Sequence, residues 1–183
     1  QSYSDLNPEL TNYLTSSTKT FRPQAGFSLN KKKYDVSATV GPSISQYDNN
    51  SFYLGLPTSL TKNYVLPYAN ARVGYRFTKS KSIYLNYSYD VDFPNANQIL
   101  PVEDLSNPLS TVIGNVNLKP SSNQWGYFSF RNFDYATRSG YSIYIGGNLY
   151  DNQVVSSVLY DSSIKSSTTF ENVSGTYSGW FGA

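Results

Sequence analysis

The chain has 183 residues, 14 basic and 12 acidic side chains, a net charge of +2, and no Cys, His or Met. With 39% hydrophobic residues it is neither a disordered polyelectrolyte nor a nucleic-acid binder by composition, and its length suffices for one domain. Lacking Cys and His, it has no disulfide framework, common zinc site or imidazole triad, so neither an enzyme nor a cofactor is expected.

The ring content is more informative: 18 Tyr and 10 Phe sit in a chain whose mean hydropathy is negative. Transmembrane β-barrels share that profile, because half of each strand faces a wet interior. No apolar run reaches the roughly 18 residues of a membrane-crossing helix, and no signal-peptide pattern opens the chain. Tyr177 to Ala183 read as mid-strand. A processed protein, or a piece of a longer one, is therefore expected.

Residues 1–18 are polar, without sustained period, and read as a loop. From Phe21 every second residue is apolar through Leu29, with Pro23 and Phe27 on that face. After the turn Lys31-Lys32-Lys33, the alternation resumes from Tyr34 through Ile44. Only a strand sorts residues with a period of two. Pro23 and Pro42 interrupt this pattern, so each marks a bulge or a point where pairing ends. Residues 46–66, with Asp48-Asn49-Asn50 and Pro57, read as a long loop.

The clearest hairpin follows. Ala69, Ala71, Val73, Tyr75 and Phe77 share one face, and after a turn at 78–82 Ile83, Leu85, Tyr87, Tyr89 and Val91 repeat it. The opposite face carries Arg72, Arg76 and Asp90. Globular strands average about 5 or 6 residues, whereas a tilted membrane strand needs about 9 to 11. Residues 92–122, with Pro94, Pro101, Pro108 and Pro120, read as a second long loop. A strand near Gly126 to Arg131, a turn at 134–139 and a strand from Tyr141 to Leu149 come next. Asp151-Asn152-Gln153 reads as a tight turn into a short strand at 154–160, and a polar turn at 162–167 leads to a last strand from Thr168.

The short turns at 31–33, 79–82 and 134–139 fall on one rim and the two long loops on the other, the asymmetry of outer-membrane barrels. The fold expected is all-β, an antiparallel transmembrane β-barrel. About eight strands are expected from residues 1–183, with long extracellular loops and short periplasmic turns. A soluble sandwich is the competing architecture, in which the same apolar faces would meet in a dry core.

In the second long loop and beyond, Gln98-Ile99-Leu100-Pro101, Asn107-Pro108 and Gly114-Asn115 followed by Asn117-Leu118-Lys119-Pro120 form a recognisable series. Phe170-Glu171-Asn172-Val173-Ser174-Gly175 is similar to a tyr-x-asn-val-x-gly element. Together, over residues 20–183, they resemble the C-terminal barrel portion of the TonB-dependent-receptor-like outer-membrane β-barrel family of the Bacteroidota type. Ser121 stands where that family usually has an acidic residue. The resemblance implies a barrel of about 22 strands in the bacterial outer membrane, and uptake of a nutrient or metal complex driven through TonB. The implied partners are outer-membrane lipid, the remaining strands and plug of the same barrel, TonB and other outer-membrane subunits. No plug is expected within residues 1–183. A non-transporting barrel subunit is the alternative function, followed by a secreted β-sandwich binding module.

The candidate functional residues follow from this frame. Arg22, Asp35, Arg72, Arg76, Asp90 and Arg131 are expected to face the lumen, where they bind substrate or, more simply, pair with one another and with the plug. Phe27, Tyr34, Tyr75, Phe77, Tyr87, Tyr89 and Tyr141 are expected to form a lipid-facing girdle. Tyr47, Asp48 and Tyr53 in one loop, and Phe93, Asn95 and Asn97 in the other, are candidates for touching a ligand or partner. The adjacent Glu103 and Asp104 read as loop decoration, and the lysine turns as solvated rather than as a nucleic-acid surface. No catalytic or metal site is expected.

Overall fold

A computed structural model describes residues 13–53, 56–99, 109–162 and 165–183, with backbone only for Tyr13, Leu14, Tyr53, Leu56 and Ala96. Glu103, Asp104, Leu100, Pro101, Asn107 and Pro108 lie outside the described residues. The strands, in chain order, are β1 (Tyr13–Phe21), β2 (Ala25–Asn30), β3 (Tyr34–Tyr53), β4 (Leu56–Arg76) and β5 (Lys81–Asp92). A one-turn helix α1 (Ala96–Ile99) and β6 (Ser110–Val112) precede β7 (Ser121–Asp134), β8 (Ser139–Asp151), β9 (Gln153–Tyr160), β10 (Ser166–Val173) and β11 (Thr176–Gly182). Among the described residues no helix is long and apolar enough to cross a membrane, which says nothing of crossing by strands.

The main sheet runs in the order β1-β3-β4-β5-β7-β8-β11, with β2 also on β3, so eight strands fill seven positions. Each described neighbour pair in it is antiparallel. The register aligns the alternation of every strand. Leu29, Val36, Val73, Leu85, Phe128, Ile145 and Phe181 succeed one another across the whole sheet on one face. One residue away on the other face stand Ser28, Ser37, Arg72, Asn86, Tyr127, Gly146 and Trp180. A slip of one residue in any pair would exchange the two faces, so the apolar pattern specifies this register.

The apolar face is not covered by a second sheet: Phe181 is 86% exposed and Phe27 60%. A sandwich would have buried both. The sheet is open among the described residues, with β1 and β2 along one edge and β11 along the other.

Three expectations are corrected. Residues 13–18 are not loop but part of β1, paired with the far half of β3 from Tyr13 opposite Phe52 to Phe21 opposite Ile44. Residues 46–66 are not a loop either. β3 and β4, 20 and 21 residues long, stay paired as far as Tyr53 opposite Leu56. Neither segment carries a sustained period of two in its sequence. The backbone ladder, shared by all residue types, and β-branched Thr suffice to keep them extended.

The third correction concerns residues 151–153, which do not reverse the chain. Val173 pairs with Gln153 in the β9–β10 ladder, and Thr176 pairs with Tyr150 in the β8–β11 ladder. One register therefore runs through both ladders, and the chain bends rather than turns. The bend sits at Asn152, with φ 53, and Gly175, with φ 79. It diverts β9 and β10 into a second sheet, β6-β10-β9, in which β6 is parallel to β10. The segment at 154–160 therefore adds no strand to the main sheet, which among the described residues has eight strands in seven positions.

The prolines behave as their chemistry requires. Residues 22–24 leave the ladder, yet Phe21 opposite Ile44 and Ala25 opposite Val40 keep the same register on either side. Pro23 thus interrupts pairing without inserting a residue. Pro42 remains inside β3 directly opposite Pro67, so the missing donors fall at one level.

Candidate functional site: the polar face and the cap on its rim

The polar face carries the charges. Arg22, beside the Pro23 interruption, donates through Nε to Ser43 Oγ at 3.1 Å and pairs with Asp90 at 3.4 Å. Its guanidinium also lies 5.6 Å from the centre of the Tyr68 ring. Three strand positions, Ser43, Tyr68 and Asp90, thus converge on one cation, and Arg22 and Asp90 form an ion pair across the polar face. Arg72 donates to the Tyr84 hydroxyl at 3.0 Å and stands 5.5 Å from its ring centre. Arg76 and Arg131 flank Ser82 from either side in the register, and Asp35 lies beside Gly74.

Aromatic rings continue this face toward β11. Trp125 and Tyr127 are stacked with an interplanar angle of 2° at 6.1 Å, and Tyr84 stands 6.1 Å from Tyr127. Trp180 lies over Gly146, where a Cβ would come within 2.5 Å of the indole. The glycine is thereby explained by the ring that covers it.

The seven girdle candidates all fall on the apolar face. Tyr34 packs on Tyr75 at 5.1 Å and Tyr75 on Phe77 at 4.7 Å, beside Lys31 to Lys33 and the 77–80 turn. Tyr141 meets Phe130 at 5.9 Å near the 135–138 turn. Tyr87 and Tyr89 lie farther along β5, opposite Ala71 and Ala69, and Phe27 faces Ala38.

The ligand-loop candidates do not form one site. Tyr47 is a strand residue, 3% exposed, in a small apolar core with Ile99 and Leu118, onto which Leu60, Val154 and Phe170 pack. It points inward because it continues the polar face of β3, over which the chain after β5 folds. Asp48, on the other face, accepts from Gln46 at 3.3 Å. Tyr53 belongs to β3 by its backbone, and its side chain lies outside the described residues. Phe93 packs on Tyr64 at 5.6 Å. Asn95 is a helix cap: its Oδ1 accepts from Gln98 N at 3.0 Å while its own N donates to Gln98 Oε1 at 2.9 Å. Asn97 is exposed on α1.

Three asparagines assigned no role from the sequence organise this cap. Asn115 donates to the Phe170 carbonyl at 2.9 Å and accepts from Asn117 N at 2.9 Å. Asn172 accepts from Lys119 N at 2.8 Å and donates to the Lys119 and Asn152 carbonyls at 3.0 and 2.6 Å. Asn152 N donates to Ser174 Oγ at 3.0 Å. All lie in the two motifs quoted above or at the bend. Their membership of those motifs was the only sequence signal, and it named positions without giving partners. Lys62 donates to the Val116 carbonyl from β4, and burial pushes its ammonium pKa down. Tyr64 beside it is pushed up, by burial first and by Tyr47 second.

Along the same face of β3, the Tyr47 hydroxyl, both amide atoms of Asn49 and the Ser51 hydroxyl are buried with no hydrogen-bond partner among the described residues. Among the described residues no three carboxylates gather to hold a metal ion.

An open sheet with one apolar face uncovered and one polar face lined by charges and rings defines a membrane barrel wall. The chain belongs to the outer membrane protein beta-barrel family, which it matches over residues 5–181. A search of curated proteins found no match. The protein is accordingly located in the bacterial outer membrane.

Proposed function

We propose that this wall is part of a barrel of the TonB-dependent receptor type that takes up a nutrient or metal complex across the outer membrane. The observation that carries the reading is the pair of bare edges, β1 with β2 and β11, on a sheet of seven positions. Unpaired backbone groups cannot remain in hydrocarbon, so both edges must be paired in the membrane, and pairing with further strands is the arrangement that a wide barrel of this family type would supply. The order of the 114–120 and 170–175 motifs relative to the strands supports the same family type.

In this reading the short turns are periplasmic, the cap is extracellular and the polar face lines the lumen. The residues contribute binding and positioning, and no catalytic group takes part. Ligand bound by the cap and a plug would pass along the polar face when TonB moves the plug.

The test is made on the intact polypeptide that carries this sequence, extracted from outer membranes in detergent. A mass several times 20.5 kDa and capture by the periplasmic domain of TonB are expected. A barrel of that mass that ignores TonB, and whose loss leaves solute uptake unchanged, would instead establish a non-transporting subunit.

A further inference from the structure

The cap has the construction of a device with two positions. Its β9–β10 hairpin is the continuation of the β8–β11 ladder in the same register, bent at only two left-handed residues, Asn152 and Gly175. At Gly175 an added Cβ would meet nothing within 4 Å, so the glycine is there for backbone freedom alone. A hinge of this kind leaves the wall undisturbed when the hairpin swings.

Two asparagines hold the hairpin down. Asn172 grips both main-chain groups of Lys119, and Asn115 grips the Phe170 carbonyl. These bonds cross between the 113–120 segment and β10, beside the backbone bond from Ile113 N to the Thr168 carbonyl and the three-residue parallel ladder of β6 with β10. Hydrogen bonds to two side chains, the short ladder with β6 and a small apolar core together favour the closed position.

We propose that the β9–β10 hairpin is a movable cap on the rim of the barrel wall, hinged at Asn152 and Gly175, and that Asn115 and Asn172 are its releasable latch. This assignment is independent of whether the barrel transports. It gives the two motifs one physical role: they are the two halves of one fastening, brought together from 57 residues apart.

The experiment is amide hydrogen exchange on the full-length barrel in detergent, comparing wild type with Asn172→Ala, Asn115→Ala and the double variant. Each single change is expected to speed exchange of the Ile113 and Ser166 amides, whose bonds bridge β10 and the 109–113 segment, by about tenfold or more, leaving β5, β7 and β8 unchanged. The double variant should add little to either single, since each change opens the same fastening. Lys119→Ala keeps the main-chain groups that Asn172 grips and should behave as wild type. Unchanged exchange at Ile113 and Ser166, equal acceleration in the wall strands, or release by Lys119→Ala would each overturn the proposal. If Asn172→Ala does not assemble, Asn115→Ala gives the same reading, because it leaves the Asn172 bond to Asn152 in place.

Discussion

Asp134 closes the 135–138 turn, accepting from Ala136 N at 2.8 Å, in a loop whose reversal depends on Arg138 at φ 53. The Ala136 hydrogen bond, and then Thr137, hold its carboxyl below the usual carboxylate range. A depressed folded-state pKa contributes stability that is present above the unfolded value of about 3.9 and is lost as pH falls through the lower folded value. The Ala136 amide resonance should therefore titrate with a midpoint below about 3.9, and Asp134→Asn should abolish the titration. A midpoint at or above that value would mean the turn does not favour the ionised form. Single residues of this sort were only partly legible in advance. A turn at 134–139 followed from the break in alternation, but which side chain ties it depends on local geometry that alternation does not encode.

At the scale of elements, the interruption between β1 and β2 makes a sharp test. The Pro23 carbonyl lies against Gly41, where any added Cβ would collide with backbone. Gly41→Ala should push residues 22–24 off β3 and weaken the edge, at a cost of about 1–3 kcal/mol. Amides of β1 and β2 should then exchange faster while the β4–β5 ladder keeps its protection; unchanged exchange in β1 and β2 would refute the close packing. The same comparison shows why some strands were readable and others were not. In residues 27–44 and 67–91 an apolar and a polar face alternate with a period of two. In residues 46–66 polar side chains stand on both faces, so Asp48-Asn49-Asn50 looked like loop while the ladder continued through it. The bonds of Asn115 to Phe170 and of Asn172 to Lys119 were invisible for another reason: contacts across 55 and 53 residues leave no periodic trace.

At the scale of the molecule, the single apolar row from Leu29 to Phe181 predicts a strong asymmetry between neighbouring positions. Leu85→Arg places a charge toward lipid and should cost about 2–4 kcal/mol at midplane depth, read as a lowered denaturant midpoint in vesicles. Asn86→Arg, one residue along on the face of Arg72, should change the midpoint far less. Equal losses at both positions would mean that the two faces do not differ in environment. The shared register of the two ladders on either side of Asn152 has a consequence for how such a protein is able to vary. Removing or adding residues in matched pairs at the hairpin end, around Asp161 and Lys165, leaves the phase of β11 untouched, so Trp180 stays over Gly146 and Phe181 beside Ile145. The tip is in that sense an interchangeable cassette: foreign segments grafted there would be carried by a wall that does not register the insertion.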